Sequence, residues 1–70
     1  MTKYDAVEIG KRLKGLRGVR TRIGVARETK IPMTSLQAYE EGKRIPNPDR
    51  MIALANYYGT SVQHLFFEDW

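Results

Sequence analysis

The sequence predicts an all-α fold of five short helices. Apolar residues recur at three- and four-residue steps, which is the spacing of one helix face, and no stretch alternates as a half-buried strand would. Capping residues, prolines and glycines divide these segments into short pieces. The chain has 70 residues, of which 41% are hydrophobic and 29% charged, as is typical of a small folded domain and not of a disordered tail. We therefore expect residues 1–70 to form one domain.

The first helix is predicted from residue 5 to about residue 17. Asp5 is a suitable N-cap, and Gly18 follows the predicted end. The apolar face consists of Ala6, Ile9, Leu13 and Leu16. The remaining surface carries Lys11, Arg12, Lys14 and Arg17. Gly10 and Gly15 should each weaken this helix by about 0.5–1 kcal/mol relative to alanine, so its stability must come from docking.

Two short helices joined by a tight turn are predicted over residues 21–42. Thr21 is a possible cap for the first of them, residues 22–29, and Ile31 lies in the bend that follows. The inward positions of this helix are Ile23, Val25, Ala26 and Thr29. Helices this short are marginal in water, so both must pack against the rest of the chain.

The third helix has an outward face that suits the major groove of DNA. Pro32 fits its first turn, it runs to about residue 40 or 41, and Gly42 can adopt the positive φ of a helix stop. Its inward side holds Leu36 and Tyr39. The opposite face carries Met33, Thr34, Gln37, Ala38 and Glu41. Small or amide side chains of this kind reach base edges, while nearby lysines and arginines hold phosphates.

The fourth helix begins with the strongest local signal in the chain, the tripeptide Asn47-Pro48-Asp49. It supplies a cap, a proline at the first helical position and an acid in the first turn. The helix should bury Met51, Ile52, Leu54, Ala55 and Tyr58. Thr60 or Ser61 then caps a fifth helix, which has Val62, Leu65 and Phe66 on one side.

Positive charge is concentrated before the third helix. Residues 11–30 hold eight lysines and arginines and one glutamate, a balance of +7, whereas residues 51–70 contain no lysine or arginine. In an arbitrary basic domain such charge could serve only solubility. Beside a helix with the outward face described above, it favours a polyanionic partner.

The residue types present do not form a catalytic, metal or cofactor site. The chain has no cysteine, and no cluster of other ligand residues accompanies the single histidine, His64. Glu40 and Glu41 point to different helix faces, so they do not make an acid/base pair, and Glu40 is expected to hold an arginine. We therefore expect no enzyme activity, no metal and no cofactor.

Nothing in the sequence indicates a membrane or an export signal. No apolar run approaches the roughly 20 residues of a membrane span, and the first ten residues lack the apolar core of a signal peptide. The expected location is the cytoplasm.

Residues 9 to 66 resemble the helix-turn-helix domains of the Cro/cI type, also called XRE-like. If Arg22 is the first motif position, Ala26 is the small fifth residue, and the apolar tenth and fifteenth and the aromatic eighteenth positions are Ile31, Leu36 and Tyr39. Residues 40–44 with Pro46 resemble the family's closing signature, E-N-G-K-R-x-P. The openings of the first and last helices, Ile9-Gly10-Lys11-Arg12-Leu13 and Gly59-Thr60-Ser61-Val62, are also similar. The resemblance implies a five-helix, lambda-repressor-like fold.

The chain departs from the family pattern at three positions. Arg22, Lys30 and Pro32 stand where the family usually has Gln, Gly and Ser or Thr. A lysine in the left-handed conformation costs about 1 kcal/mol, so the turn between the second and third helices could differ from the family's.

The resemblance implies sequence-specific binding of double-stranded DNA by the third helix. The base-facing positions match Met33, Thr34, Gln37 and Ala38, with Gln37 suited to adenine and the others to thymine methyl groups. The phosphate-contacting positions match Arg22, Lys43 and Arg44, and Arg17 and Arg20 are further candidates. A repressor that blocks a promoter is the outcome expected from this resemblance.

The resemblance and an aromatic C-terminal end together predict a homodimer on a palindromic site. Residues 60–70 are the candidate interface, because Phe67 and Trp70 exceed what so small a core can bury; Phe66 is included with them. Three alternatives remain open. The chain could be the DNA-binding antitoxin of a toxin–antitoxin pair, a protein-interaction adaptor with the same fold, or the N-terminal domain of a longer regulator.

Overall fold

The computed structural model describes residues 5–68, and all the regular secondary structure in this part of the chain is helical. The first four segments are α-helices: α1 (Ala6–Arg17), α2 (Arg22–Thr29), α3 (Met33–Glu40) and α4 (Pro48–Tyr58). The fifth, α5 (Gln63–Phe67), is a single π-helical turn rather than the predicted α-helix. No strand occurs in the described residues, and the predicted all-α class is confirmed.

The helix ends are determined by local side-chain and backbone chemistry. The side chains of Asp5, Thr21 and Asn47 accept hydrogen bonds from the first-turn amides of α1, α2 and α4 at 2.9–3.0 Å. Ser61, not Thr60, caps α5 through a 3.0 Å bond from the amide of His64. Each of these bonds satisfies an amide that has no partner within its own helix.

Pro32 occupies the N-cap position of α3 rather than its first turn. Its carbonyl oxygen accepts from the amides of Ser35 and Leu36 at 3.0 and 3.1 Å, but no side-chain cap is present. The N-terminal amides of α3 therefore depend less on their own cap than those of the other three α-helices do.

The core lies where the inner faces of the helices meet. Its buried side chains come from α1 to α5 and from the turn before α3: Ile9, Leu13, Val25, Ile31, Leu36, Tyr39, Met51, Leu54, Ala55, Leu65 and Phe66. α3 packs against both α1 and α2, α2 also packs against α4, and α1 contacts α5. Helix α3 is thus held from behind by several elements, which leaves its other face outward.

Three positions differ from the burial that the sequence pattern predicts. Ile23 and Ile52, expected to face inward, are each about half exposed, so both lie at the edge of the buried face of their helix. Arg12, expected on the surface, is only 6% exposed. Its Nη1 donates to the carbonyl oxygen of Leu65 at 3.1 Å, so a charged side chain joins α1 to α5.

Gly10 permits a close crossing of α1 over the end of α3. A Cβ atom at this position would lie 2.6 Å from the carbonyl oxygen of Glu40 and 2.7 Å from that of Tyr39. Only a residue without a side chain allows two backbones to approach so closely. The sequence predicts that Gly10 weakens the helix. The structure shows that a glycine is required there for α1 to pack against α3.

Within the described residues, none of the helices has both the length and the apolar character that crossing a membrane requires.

Candidate nucleic-acid interface

The outward face of α3 is presented to solvent. Met33, Thr34 and Gln37 are exposed and Ala38 is half-buried, whereas Ser35, Leu36 and Tyr39 on the opposite side are buried. The face therefore presents small and amide side chains along a short helix. The four residues predicted to read bases lie together on this one surface.

The turn before α3 keeps the left-handed conformation despite its lysine. Lys30 has φ 63° and ψ 25°, and its amide donates to the carbonyl oxygen of Ala26 at 2.9 Å. Thr29 Oγ1 donates to the carbonyl oxygen of Val25 at 2.7 Å, and Ile31 is buried beneath the turn. The apolar anchor and these hydrogen bonds compensate for the backbone strain, so the turn is not altered.

Arg50, which sequence reasoning did not single out, supports α3 from α4. Its Nη1 donates to the hydroxyl of Tyr39 at 2.9 Å and to Oγ of Ser35 at 3.2 Å. These bonds satisfy the polar atoms of two buried side chains and fix α4 to the inner side of α3. In the sequence Arg50 lies in a polar stretch, two residues after Pro48. Nothing in that stretch predicts its contact with α3.

Glu40, at the end of α3, holds two arginines from different helices. Its side chain is 4% exposed, Oε2 accepts from Nε of Arg17 at 2.8 Å, and Oε1 accepts from Nε of Arg22 at 3.1 Å and Nη2 of Arg17 at 3.1 Å. The expectation that Glu40 is a structural acid is confirmed. The carboxylate joins the end of α1 and the start of α2 to α3.

This network changes what Arg17 can do. Its third nitrogen, Nη1, donates to the carbonyl oxygen of Arg20 at 2.8 Å, and the side chain is only 16% exposed. The hydrogen bond to Glu40 raises the pKa of the Arg17 guanidinium further. All three nitrogens already donate to protein oxygens, so Arg17 ties α1 to α3, and a phosphate contact by Arg17 would have to compete with these bonds.

The same buried charges affect a neighbouring tyrosine. Burial, reinforced by the negative charge of Glu40, raises the pKa of Tyr58 to about 12. The phenol is therefore neutral at every physiological pH, and it adds to the structural network without supplying a titrating group.

Arg22 differs from Arg17 because only its Nε is used. Its side chain is 30% exposed, so the Nη atoms at the N-terminus of α2 can reach an anion without loss of the bond to Glu40. A positive side chain and the free amides of a helix N-terminus attract the same kind of ligand.

Two further cations follow α3 in the loop that ends it. Gly42 has φ 75°, and a Cβ there would lie 2.9 Å from Cα of Val7, so the loop passes directly over α1. The amide of Lys43 donates to the carbonyl oxygen of Ala38 at 2.9 Å, which fixes the path of the chain. Both Lys43 and Arg44 are exposed on this fixed loop.

The exposed side chains at the end of α3 also contact one another. Gln37 Nε2 donates to Oε2 of Glu41 at 3.0 Å, and Nζ of Lys43 lies 3.1 Å from Oε1 of the same carboxylate. Glu41 thus connects a predicted base contact to a predicted phosphate contact. Sequence reasoning placed Glu41 on this face but assigned it no role.

Arg20 is exposed but packs over its own domain. Its Nη1 donates to the carbonyl oxygen of Leu16 at 3.2 Å, and its guanidinium carbon lies 5.7 and 5.9 Å from the ring centres of Tyr57 and Tyr58. At these distances, cation–π interactions hold the Arg20 side chain against α4. A phosphate contact by Arg20 would have to compete with these interactions.

The predicted dimer residues do not lie on one surface. Phe66 is 0% exposed and belongs to the core, because the π-helical turn directs it inward beside Leu65; its assignment to an interface is therefore corrected. Phe67 is 38% exposed, and Trp70 lies outside the described residues. Phe67 is the described residue that remains a candidate.

The fold and this face define a class of protein. A short helix whose exposed face carries no cation follows a tight turn, and cations lie beside its C-terminal end. Such an arrangement is that of a helix-turn-helix DNA-binding domain.

A family model described as helix-turn-helix matches residues 20–65, about two thirds of the chain. The protein therefore belongs to the helix-turn-helix family of the Cro/C1 type and is a DNA-binding regulator. The resemblance seen in the sequence is confirmed. No match is found among curated proteins.

Proposed function

We propose that the protein is a sequence-specific regulator of transcription, a repressor that places α3 in the major groove of a palindromic operator. The observation that carries this proposal is the outward face of α3, where Met33, Thr34 and Gln37 are exposed and no cation is present. Because such side chains make base contacts while cations grip the backbone, this face would supply sequence preference and its surroundings would supply affinity.

The phosphate contacts in this proposal are Arg22, Lys43 and Arg44. Arg22 contacts Glu40 at the C-terminal end of α3, and Lys43 and Arg44 follow that same end, so the three would hold the DNA backbone beside it. A dimer with about 6–10 phosphate contacts should lose about 10³–10⁵-fold in affinity between 50 and 200 mM salt.

Selection of binding sites from random DNA by the purified protein tests the proposal directly. It should return one preferred sequence with two-fold symmetry. Replacing Thr34 and Gln37 by alanine should abolish preference for that sequence and leave non-specific binding in place. Replacing Lys43 and Arg44 by alanine is the matched control: affinity should fall on every sequence, and the salt slope should fall by about one for each residue.

The homodimer is proposed to form through the C-terminal end of the chain, where Phe67 is exposed. It would bring two reading helices to about 34 Å from one another, one turn of DNA. Sedimentation should show a dimer that Phe67→Ala weakens, whereas Val19→Ala, which shortens a more exposed apolar side chain in the loop after α1, should not. A monomer at tens of micromolar that binds a non-repeated site would exclude this arrangement.

A further inference from the structure

Glu41 occupies a fixed position between a base contact and a phosphate contact. Its amide donates to the carbonyl oxygen of Gln37 at 2.9 Å, and the chain then turns so that the amide of Lys43 reaches the carbonyl oxygen of Ala38. The carboxylate is 36% exposed and uses one oxygen for Gln37 and the other for Lys43. The outward face of α3 therefore has a negative charge at its end.

This contact determines how the amide of Gln37 is turned. Hydrogen bonds from Gln37 and Lys43 lower the pKa of Glu41, so the carboxylate is ionised at neutral pH and can only accept. Gln37 must then direct its NH₂ group, not its carbonyl oxygen, toward Glu41. One N–H and the carbonyl oxygen remain, and this donor–acceptor pair complements the N7 acceptor and N6 donor of adenine in the major groove.

The negative charge of Glu41 also opposes the approach of the DNA backbone. The ion pair with Lys43 is exposed, Lys43 to 73%, and such pairs contribute little to stability. Lys43 can therefore exchange Glu41 for a phosphate. The carboxylate then faces the DNA backbone with one cation fewer, and this repulsion applies to every DNA sequence.

We propose that Glu41 is a specificity-determining residue: it orients Gln37 to read adenine, and its charge weakens binding to every DNA sequence, so that the adenine contact is needed to offset the repulsion. The inference rests on the proposed function, since it requires α3 to read the groove. Glu41 is a positioning residue in this scheme, because its effect on base preference passes through Gln37.

The experiment uses the full chain and duplexes that carry the selected site, the same site changed at one base pair, or an unrelated sequence. The relevant base pair is the one at which Gln37→Ala loses discrimination, and a good bidentate contact there should discriminate by roughly 5–150-fold. Glu41→Gln should reduce this ratio at least threefold and should raise affinity for the unrelated duplex about 2–10-fold. Glu28→Gln, which removes an exposed negative charge from α2, should leave the ratio unchanged.

A double variant separates orientation from charge. In the Gln37→Ala background, Glu41→Gln should still raise non-specific affinity but should no longer change the ratio at that base pair. If Glu41→Gln keeps the full ratio in the wild-type background, or leaves non-specific affinity unchanged in the Gln37→Ala background, the inference is overturned while the proposed function stands. If the wild-type protein shows no salt-dependent DNA binding, both are overturned.

Discussion

Two alanine substitutions in α1 should have opposite effects on stability, although the sequence pattern predicts the same effect for both. At Gly10 an added Cβ would lie 2.6 Å from the carbonyl oxygen of Glu40, whereas ordinary contacts begin near 3.4 Å, so α1 and α3 would have to separate by about 0.8 Å. The opposing atoms are backbone, so no side-chain rotation relieves the overlap. At Gly15 nothing lies within 4 Å.

The magnitudes follow from these two environments. Overpacking costs about 1–3 kcal/mol, and the better helix propensity of alanine returns about 0.5–1 kcal/mol, so Gly10→Ala should lose up to about 2.5 kcal/mol. Gly15→Ala should gain about 0.5–1 kcal/mol, because only the propensity changes. At about 4–8 °C per kcal/mol in a chain of this size, the melting temperature should fall for the first variant and rise for the second.

Thermal and urea unfolding followed by far-ultraviolet circular dichroism measure both effects. The two variants differ by one methyl group at different positions of the same helix, so each is the control for the other. A Gly10→Ala protein that melts at or above the wild-type temperature would show that α1 and α3 do not cross as closely as described. Its DNA affinity should fall as well, because the displaced helix is the one that we propose to read bases.

Three further predictions concern buried charge, backbone strain and pH. Glu40→Gln should lower the free energy of unfolding by about 2–3 kcal/mol, which is less than the loss of a fully buried pair because its arginines keep some contact with water. A free energy of unfolding equal to that of Glu28→Gln would refute this. Lys30→Gly should raise the melting temperature by a few degrees, since glycine removes about 1 kcal/mol of left-handed strain, and a lower melting temperature would contradict the strain. The pKa of Tyr58 is raised from 10.0 to about 12, so its neutral form stabilises the fold below pH 10, and this contribution is lost between pH 10 and 12. Unfolding measured across that range should be less pH-dependent in Tyr58→Phe; equal slopes would exclude the effect.

The elements of the fold could be predicted because their signals are local. A cap such as Asn47 acts on an amide three residues away, and the left-handed stop at Gly59 (φ 71°) needs only its own backbone freedom. The exposed positions of α3 could also be predicted, because Leu36 and Tyr39 identify the inner face and the helical period then assigns the outer one. Capping and helical periodicity both depend on residues that are close together in the sequence, so the sequence predicts them.

The partners of the charged side chains could not be predicted in this way. Arg12 and Arg17 both follow the polar stripe of α1, yet one is buried against the carbonyl oxygen of Leu65 and the other is held by Glu40. Their partners are 53 and 23 residues away, and composition contains no information about which distant atom will be nearby. Arg50 was missed for the same reason.

The sequence by itself determined the four α-helices and the family, since each depends on residues close together in the chain. Only the tertiary structure decided which cations near α3 are free to meet DNA. Arg22 and Arg17 look alike in sequence, but the crossing of α1, α2 and α3 places both on one carboxylate and leaves the Arg22 side chain the more exposed of the two. Charge is a property of the residue, whereas its availability depends on what the fold packs against it.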